Sequence, residues 1–471
     1  MIDGRGIRAA AAVLVLAVAA RAGDLATVVR MADRDAARRV FALAQKADAE
    51  GQRAVARELF ARALELQPES AAARLKLGFK QTGAEWKRTP EQEAEVNART
   101  DADAGRAAEI RKEAADLEDQ RVKEIVRLCK ERSLEERRPF LLPLLEQMPD
   151  RADVHEALGH VQVGEHWVPP ELAPAVRMMP LRLQAWRNYE RDPVKVEPSS
   201  FGLAIPGVEG TLVFRLADEC EVASAPDLGA APAEAVARVR GFLRFLLGDR
   251  TRIWTPPPVV FLGAEPYGAM VHALHPDPKE AELYGAYENY EAKDFYAIRV
   301  YGAENAAERY AHGAGYLTMC GLVAERDADV HAWLLEGFGY LASLEVFDAG
   351  NISFSSIDES KAKAQGSAPP PEPRTRDACL AWVRGEMRAG RGYPLAEICA
   401  RSINDLDLCA SLESYSFVRF LFLLDPEAAR NLPGALREAK GKTQPERVDA
   451  ALRASYGKGL GELEALWRAF P

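Results

Sequence analysis

Leu77-Gly78-Phe79-Lys80-Gln81-Thr82-Gly83-Ala84-Glu85-Trp86 is followed, 81 residues later, by Leu158-Gly159-His160-Val161-Gln162-Val163-Gly164-Glu165-His166-Trp167. Pro68 and Pro149 keep the same offset, and Pro90-Glu91 recurs one residue early as Pro170-Glu171. A match of this length at a constant offset is no accident and marks a duplicated unit. The repeated piece is a helix, a proline stop, a second helix and a short Gly-turn-Trp segment. Trp86 and Trp167 either cap the apolar end of each helix pair or form a docking surface for an extended peptide, the two uses a repeat makes of a large aromatic residue.

From Ala36 to about Lys80 the apolar residues recur at helical spacing. Between the copies, residues 91–138 are rich in charges of both signs, with Ile110, Leu117, Val122, Ile125 and Leu128 spaced as on one helix face. This predicts one long solvated helix acting as a spacer. Beyond Pro193 and Pro198 the texture changes. Gly210–Leu216, Val259–Leu262 and Phe295–Tyr301 predict strands, and Ala233–Leu247 predicts an amphipathic helix. Residues 350–374, with three consecutive prolines from Pro369, read as a loop, and the remainder as helices. The fold class is therefore α+β and mostly helical.

At 471 residues and 48% hydrophobic content the chain has material for several packed domains. Arg5 and Arg8 precede an apolar run from Ala9 to Ala20 and an Ala20-Arg21-Ala22 small-x-small site, the pattern of a cleavable secretory signal. An exported protein, periplasmic or extracellular, is the expectation, with no stable membrane insertion after cleavage. Removing residues 1–22 takes away three arginines and Asp3, so the formal charge goes from −10 to −12. Such acidity excludes ordinary nucleic-acid binding. The six cysteines form no C-x-x-C pair, and their pairing stays open between disulfides and buried thiols.

One helix carries an incomplete catalytic pattern. In H-E-x-x-H the two histidines grip zinc from one helix face and the glutamate activates the metal-bound water. Here His312 stands alone, because Gly313 takes the glutamate position and Tyr316 the second histidine position. Glu336, in Trp333-Leu334-Leu335-Glu336-Gly337, lies twenty-four residues on, on the next helix. Glu308, one turn before His312, and His331 are the remaining candidates for a rebuilt metal site. Even a rebuilt site lacks the adjacent general base, and a lone histidine facing a carboxylate more commonly makes a hydrogen bond or ion pair. Gly313 and Gly315 each cost a helix interior about 1 kcal/mol relative to alanine. Either the facing helix approaches closely there, or a ligand fills the space, in which case Tyr316 borders it.

These residues carry two resemblances. Leu43, Ala44, Ala56, Phe60, Ala63 and Pro68 fall as in a tetratricopeptide repeat. The His312 frame, W-L-x-E-G at Trp333–Gly337, Pro394-Leu395-Ala396-Glu397, Tyr415-Ser416 and Trp467-Arg468 are similar to the peptidase-MA-like, gluzincin-type domain of exported bacterial proteins, over about residues 200–471. The second resemblance implies two lobes, a small α/β lobe and a C-terminal helical lobe, with His312 and Glu336 in ligand positions. Gly313 and Tyr316 depart from its pattern. The expected organisation is a signal peptide at 1–22, a tetratricopeptide-like unit at 23–90, the charged spacer at 91–138, a second copy at 139–198, the α/β lobe at 199–348, the loop at 349–374 and the helical lobe at 375–471. The expected function is a non-catalytic pseudopeptidase that binds a protein or peptide partner, with no cofactor. The alternatives are a zinc metallopeptidase with a rearranged site and a structural adaptor working through its repeats.

Overall fold

The computed structural model describes residues 24–188, 196–199, 203–216, 221–248, 258–285, 289–292, 294–300, 303–323, 331–350, 370–372, 374–403 and 405–471. The expected signal peptide and most of the 349–374 loop lie outside them. The described chain is mostly helical, with one six-stranded sheet and two hairpins. It divides into two compact units at residues 170 and 171.

In the first unit, α1 (Leu25–Ala49), α2 (Arg53–Leu66) and α3 (Ala71–Lys76) lead into a hairpin of β1 (Lys80–Thr82) and β2 (Glu85–Lys87). After α4 (Pro90–Asn97) the series repeats as α5 (Ala104–Cys129), α6 (Leu134–Gln147), α7 (Ala152–Ala157) and a hairpin of β3 (Val161–Val163) and β4 (His166–Val168). The 81-residue offset holds for both ends of the second helix, for the start of the third and for the hairpin register: Gln81 pairs with Trp86 as Gln162 pairs with Trp167. Gly83 and Gly164 open the two-residue turns with φ of +65° and +61°. That is the first central position of a type II′ turn, where a side chain would clash.

The long first helices run antiparallel. Lys46 meets Glu113, and Arg39 meets Gln120, its own equivalent in the other copy. The two cores are consequently shared. Around Phe60 pack Val40, Leu43, Ala44 and Ala47 from the second half of α1, α2 residues such as Leu59 and Ala63, and Ala107 and Ile110 from the first half of α5. Around Leu141 pack Val122, Ile125 and Leu128 from the second half of α5, Leu144 of α6, and Leu25, Val28 and Val29 from the first half of α1. Each copy completes its core with the other copy's first helix.

The stretch expected as a single solvated spacer differs in two ways. It is interrupted, because Asp101 accepts from the Ala54 and Val55 N–H groups at the start of α2 and Asp103 caps α5. It is also half buried, since Ile110, Val122 and Ile125 are core residues with 1% exposure or less.

The second unit begins at Glu171, ahead of the expected change near Pro198. The reason is α8 (Ala173–Asn188), which fastens to later elements. Its Arg182 donates to the Leu423 and Leu424 carbonyls, and Trp186 meets Phe242 edge-on at 6.0 Å. The sheet order is β5 (Val196–Pro198), β6 (Leu212–Leu216), β7 (Glu221–Ser224), β8 (Val259–Gly263), β10 (Tyr296–Val300), β9 (Asn289–Glu291). The pairs β7–β8 and β8–β10 are parallel and the outer pairs antiparallel. Between β7 and β8 runs α9 (Ala231–Leu247), with Phe242 fully buried. The run Val259-Val260-Phe261-Leu262 is buried throughout, as a central strand covered on both faces must be. Val260 and Leu262 pack with Tyr267 and Met270 of α10 (Ala264–Leu274), while Phe261 meets Tyr310 of α12 (Ala303–Val323) at 5.6 Å. A shorter α11 (Pro278–Gly285) follows α10. The remaining helices are α13 (Ala332–Phe347), α14 (Arg376–Arg388), α15 (Leu395–Ala400), α16 (Leu408–Leu424), α17 (Pro426–Glu438), α18 (Gln444–Tyr456) and α19 (Leu460–Arg468). Of these, α13 lies against α12 and α16.

Candidate functional site

His312 and Glu336 meet across the α12–α13 seam. Nε2 of the imidazole lies 3.1 Å from Oε2 of the carboxyl, and both side chains have 0% exposure. A proton shared along that line satisfies one atom of each partner, as burial demands of polar groups. Oε1 of Glu336 is buried without a hydrogen-bond partner among the described residues. Tyr340 meets the imidazole edge-on at 4.8 Å.

Glycines make the seam narrow. A Cβ on Gly339 would stand 2.8 Å from His312 Nε2, and one on Gly315 would stand 2.6 Å from the Phe338 carbonyl oxygen. Of the two explanations for glycine in this helix, close approach of the facing helix is the one found at Gly315. On the other side of α13, a Cβ on Gly337 would stand 2.7 Å from the Ser414 carbonyl oxygen, so α16 approaches as closely. The helix α13 is buried all round, from Ala332 to Leu344.

Of the remaining metal candidates, Glu308 is buried at 4% exposure and His331 at 1%, the latter ahead of α13 with φ of +60°. Tyr316 is half-buried. Among the described residues no three His, Cys, Asp or Glu side chains gather where they could hold a metal ion. Zinc takes three protein ligands in a catalytic site and four in a structural one. The seam supplies two, and each is the other's hydrogen-bond partner.

Trp86 and Trp167 sit at equivalent places in the two hairpins and are half-buried. The Arg74 guanidinium of α3 lies 5.5 Å from the Trp86 ring centre, and the His155 imidazole of α7, the equivalent position, stacks on Trp167 at 5.4 Å with the planes 5° apart. Each tryptophan therefore covers the short third helix of its copy, and each keeps some surface in solvent.

Two buried polar clusters escaped the sequence reading. Glu413 on α16 has 1% exposure, and its carboxyl accepts the Tyr393 backbone N–H at 3.0 and 3.3 Å. Burial outweighs that bond and pushes the carboxyl up to about 8. Around it, Tyr393 donates its hydroxyl to Asp407 at 2.6 Å, Arg401 reaches the same carboxylate at 2.9 Å, and Arg468 donates to the Tyr393 carbonyl at 3.1 Å. In the second cluster Glu345 of α13 accepts from Arg419 at 2.8 Å and from Tyr415 at 3.0 Å, pinning α13 to α16. Charged residues inside apolar runs, such as Leu412-Glu413-Ser414 and Val418-Arg419-Phe420, are the signal that marks both clusters.

None of the five described cysteines is in a disulfide, and Cys220 lies outside the described residues. Among the described residues, no helix is long and apolar enough to cross a membrane. Compared with family models, curated proteins and solved structures, the chain matches none.

Proposed function

We propose that this chain is an exported pseudopeptidase: a non-catalytic scaffold that keeps a gluzincin-type frame, a small α/β lobe and a helical lobe, and binds a protein or peptide partner together with its tetratricopeptide-like repeats. The observation that carries this reading is the sealed His312–Glu336 pair, hydrogen-bonded at 3.1 Å with no exposed surface and with Gly339 against the imidazole. A hydrolytic zinc site keeps an open position for water beside a general base. Here the base position is Gly313, and the two ligand-type side chains serve helix packing instead.

The half-exposed Trp86 and Trp167 support a second reading, an adaptor that works through its hairpins and leaves the peptidase-like part inert. Zinc content of the purified chain, after metal-free dialysis and zinc re-addition, tests the first reading beside a His312→Ala control. No retained zinc in either protein is the expected result. One zinc per chain that vanishes in the control overturns the proposal in favour of a rearranged metallopeptidase. Partner capture lost in Trp86→Ala and Trp167→Ala, but kept in His312→Ala and Glu336→Ala, favours the adaptor.

A further inference from the structure

The exposed stripe of α14 is Asp377, Ala381, Arg384 and Arg388, opposite the buried Cys379, Leu380 and Val383. Positions 384 and 388 are one turn apart, so the two arginines stand side by side on one face. The Arg384 Nε–H donates to the Leu380 carbonyl of its own helix at 3.3 Å, and neither guanidinium has a carboxylate partner among the described residues. More arginines stand on neighbouring elements. The helix α16 packs against both α14 and α8. Its Arg419 holds Glu345 at 2.8 Å, and that guanidinium lies 5.9 Å from the Trp186 ring centre of α8. The next residue, Arg187, is exposed and also has no carboxylate partner among the described residues.

The acids of this region are already engaged. Glu345 is shared by Arg419 and by Arg376, the latter at 3.9 Å; Asp348 accepts the Arg376 backbone N–H at 2.7 Å, and Asp377 bonds the Arg376 side chain at 3.0 Å. Arg187, Arg376, Arg384, Arg388 and Arg419 therefore outnumber Glu345, Asp348 and Asp377, on a chain whose formal charge is −10. The surplus is felt locally. Burial first, and then the charges of Arg419 and Arg388, pull the Arg384 guanidinium below its ordinary range, with Asp377 opposing them. The Asp377 carboxyl is held below its own range, first by the hydrogen bond from Arg376 and then by the charges of Arg376, Arg419 and Arg187.

We propose that the arginine face of α14, with Arg187 beside it, is a docking surface for an acidic, extended segment of a partner protein. Side chains one helical turn apart are separated by about 5–6 Å, and alternate side chains of an extended chain by about 6.6 Å, so carboxylates at every second position meet Arg384 and Arg388 in turn. Arginine suits this task because its planar fork takes a carboxylate through two N–H groups at once. A short segment with few carboxylates is also the anion that the acidic remainder of the chain opposes least. This names a partner class for the binding role proposed above and rests on that role.

Fluorescence anisotropy with a labelled octapeptide of alternating glutamate and serine, titrated with the full chain at low salt, tests the surface. The same peptide with glutamine for glutamate is the control. The acidic peptide is expected to bind and the glutamine peptide not to. Arg384→Gln with Arg388→Gln should weaken binding roughly five- to tenfold, the loss of two exposed charge pairs. Both side chains are exposed, so the variant keeps the fold. Arg38→Gln with Lys123→Gln removes the same charge from the first unit, at side chains 74% and 66% exposed, and should leave binding unchanged. Absence of binding by the wild type, or equal binding by the Arg384/Arg388 variant, overturns the docking surface; the zinc and tryptophan tests of the broader role are unaffected by either result. Inorganic polyphosphate that binds more tightly than the peptide at equal charge overturns it in favour of a general polyanion site.

Discussion

Replacing Glu413 by glutamine should make the protein more stable at neutral and alkaline pH, and less so the further the pH is lowered. The carboxyl has an ordinary value of 4.5 in the unfolded chain and is pushed up to about 8 in the fold, first by burial. Asp407 also raises it, while the Tyr393 N–H, Arg468 and Arg401 pull it down without prevailing. Between those two values the folded state holds a proton that the unfolded state has released. The group's contribution is therefore complete below pH 4.5 and is lost progressively as pH rises to about 8. Each unit is worth about 1.4 kcal/mol, so the loss accumulated by pH 7 is about 3 kcal/mol. Glutamine keeps a carbonyl oxygen for the Tyr393 N–H and does not titrate. Urea unfolding of both proteins at pH 5, 7 and 8.5, followed by tryptophan fluorescence, isolates the effect, because groups remote from residue 413 titrate alike in the two. The glutamine variant should gain about 3 kcal/mol on the wild type between pH 5 and 7 and more by 8.5. A difference that stays constant over this range would refute the reasoning.

Other outcomes follow from the packing. Gly339→Ala drives a methyl group to within 2.8 Å of His312 Nε2 and should cost about 1–3 kcal/mol in urea unfolding; in a His312→Ala background most of that cost should vanish, and full additivity would contradict the contact. Ile110→Ala should cost about 2–4 kcal/mol and raise hydrogen exchange in residues 53–66, the second helix of the other copy, more than in residues 134–147 of its own. Exchange rising chiefly in 134–147 would argue against the shared cores. Burial pushes the thiols of Cys129 and Cys379 up to about 11, so iodoacetamide at pH 8 should label them only after denaturation; rapid labelling of the native protein would show these sites to be open.

The duplication was legible because identity at a fixed offset needs no knowledge of structure, and the helices because their apolar residues recur over many turns. The hairpins were not, because strands as short as Lys80-Gln81-Thr82, all exposed, carry no alternation to read. Periodicity places Ile110 and Val122 on one face of one helix, yet it is silent on the fact that the two ends of that face serve different cores. At the candidate site, the spacing of His312 and Glu336 anticipated their meeting, and the glycines anticipated a close approach. Glu308 and His331 share a helix or a loop end with them in sequence, but gathering three donors depends on how helices cross, which spacing along one helix does not determine. Glu413 escaped notice because its partner is a backbone N–H, which every residue but proline has.

The exchange of helix halves ties the fate of the two copies together. Stacked repeats that meet only along one face can gain or lose a member at either end, because each interface is local. Here a deletion of one copy removes its own core and also strips the surviving core of Ala107 and Ile110, or of Leu25, Val28 and Val29. Neither copy is a spare. Sequence drift in one can be tolerated only as far as the other's core accepts it, and this leaves the hairpins, which lie outside the exchange, as the places where the two copies are free to diverge, as Lys80 and Val161 have done.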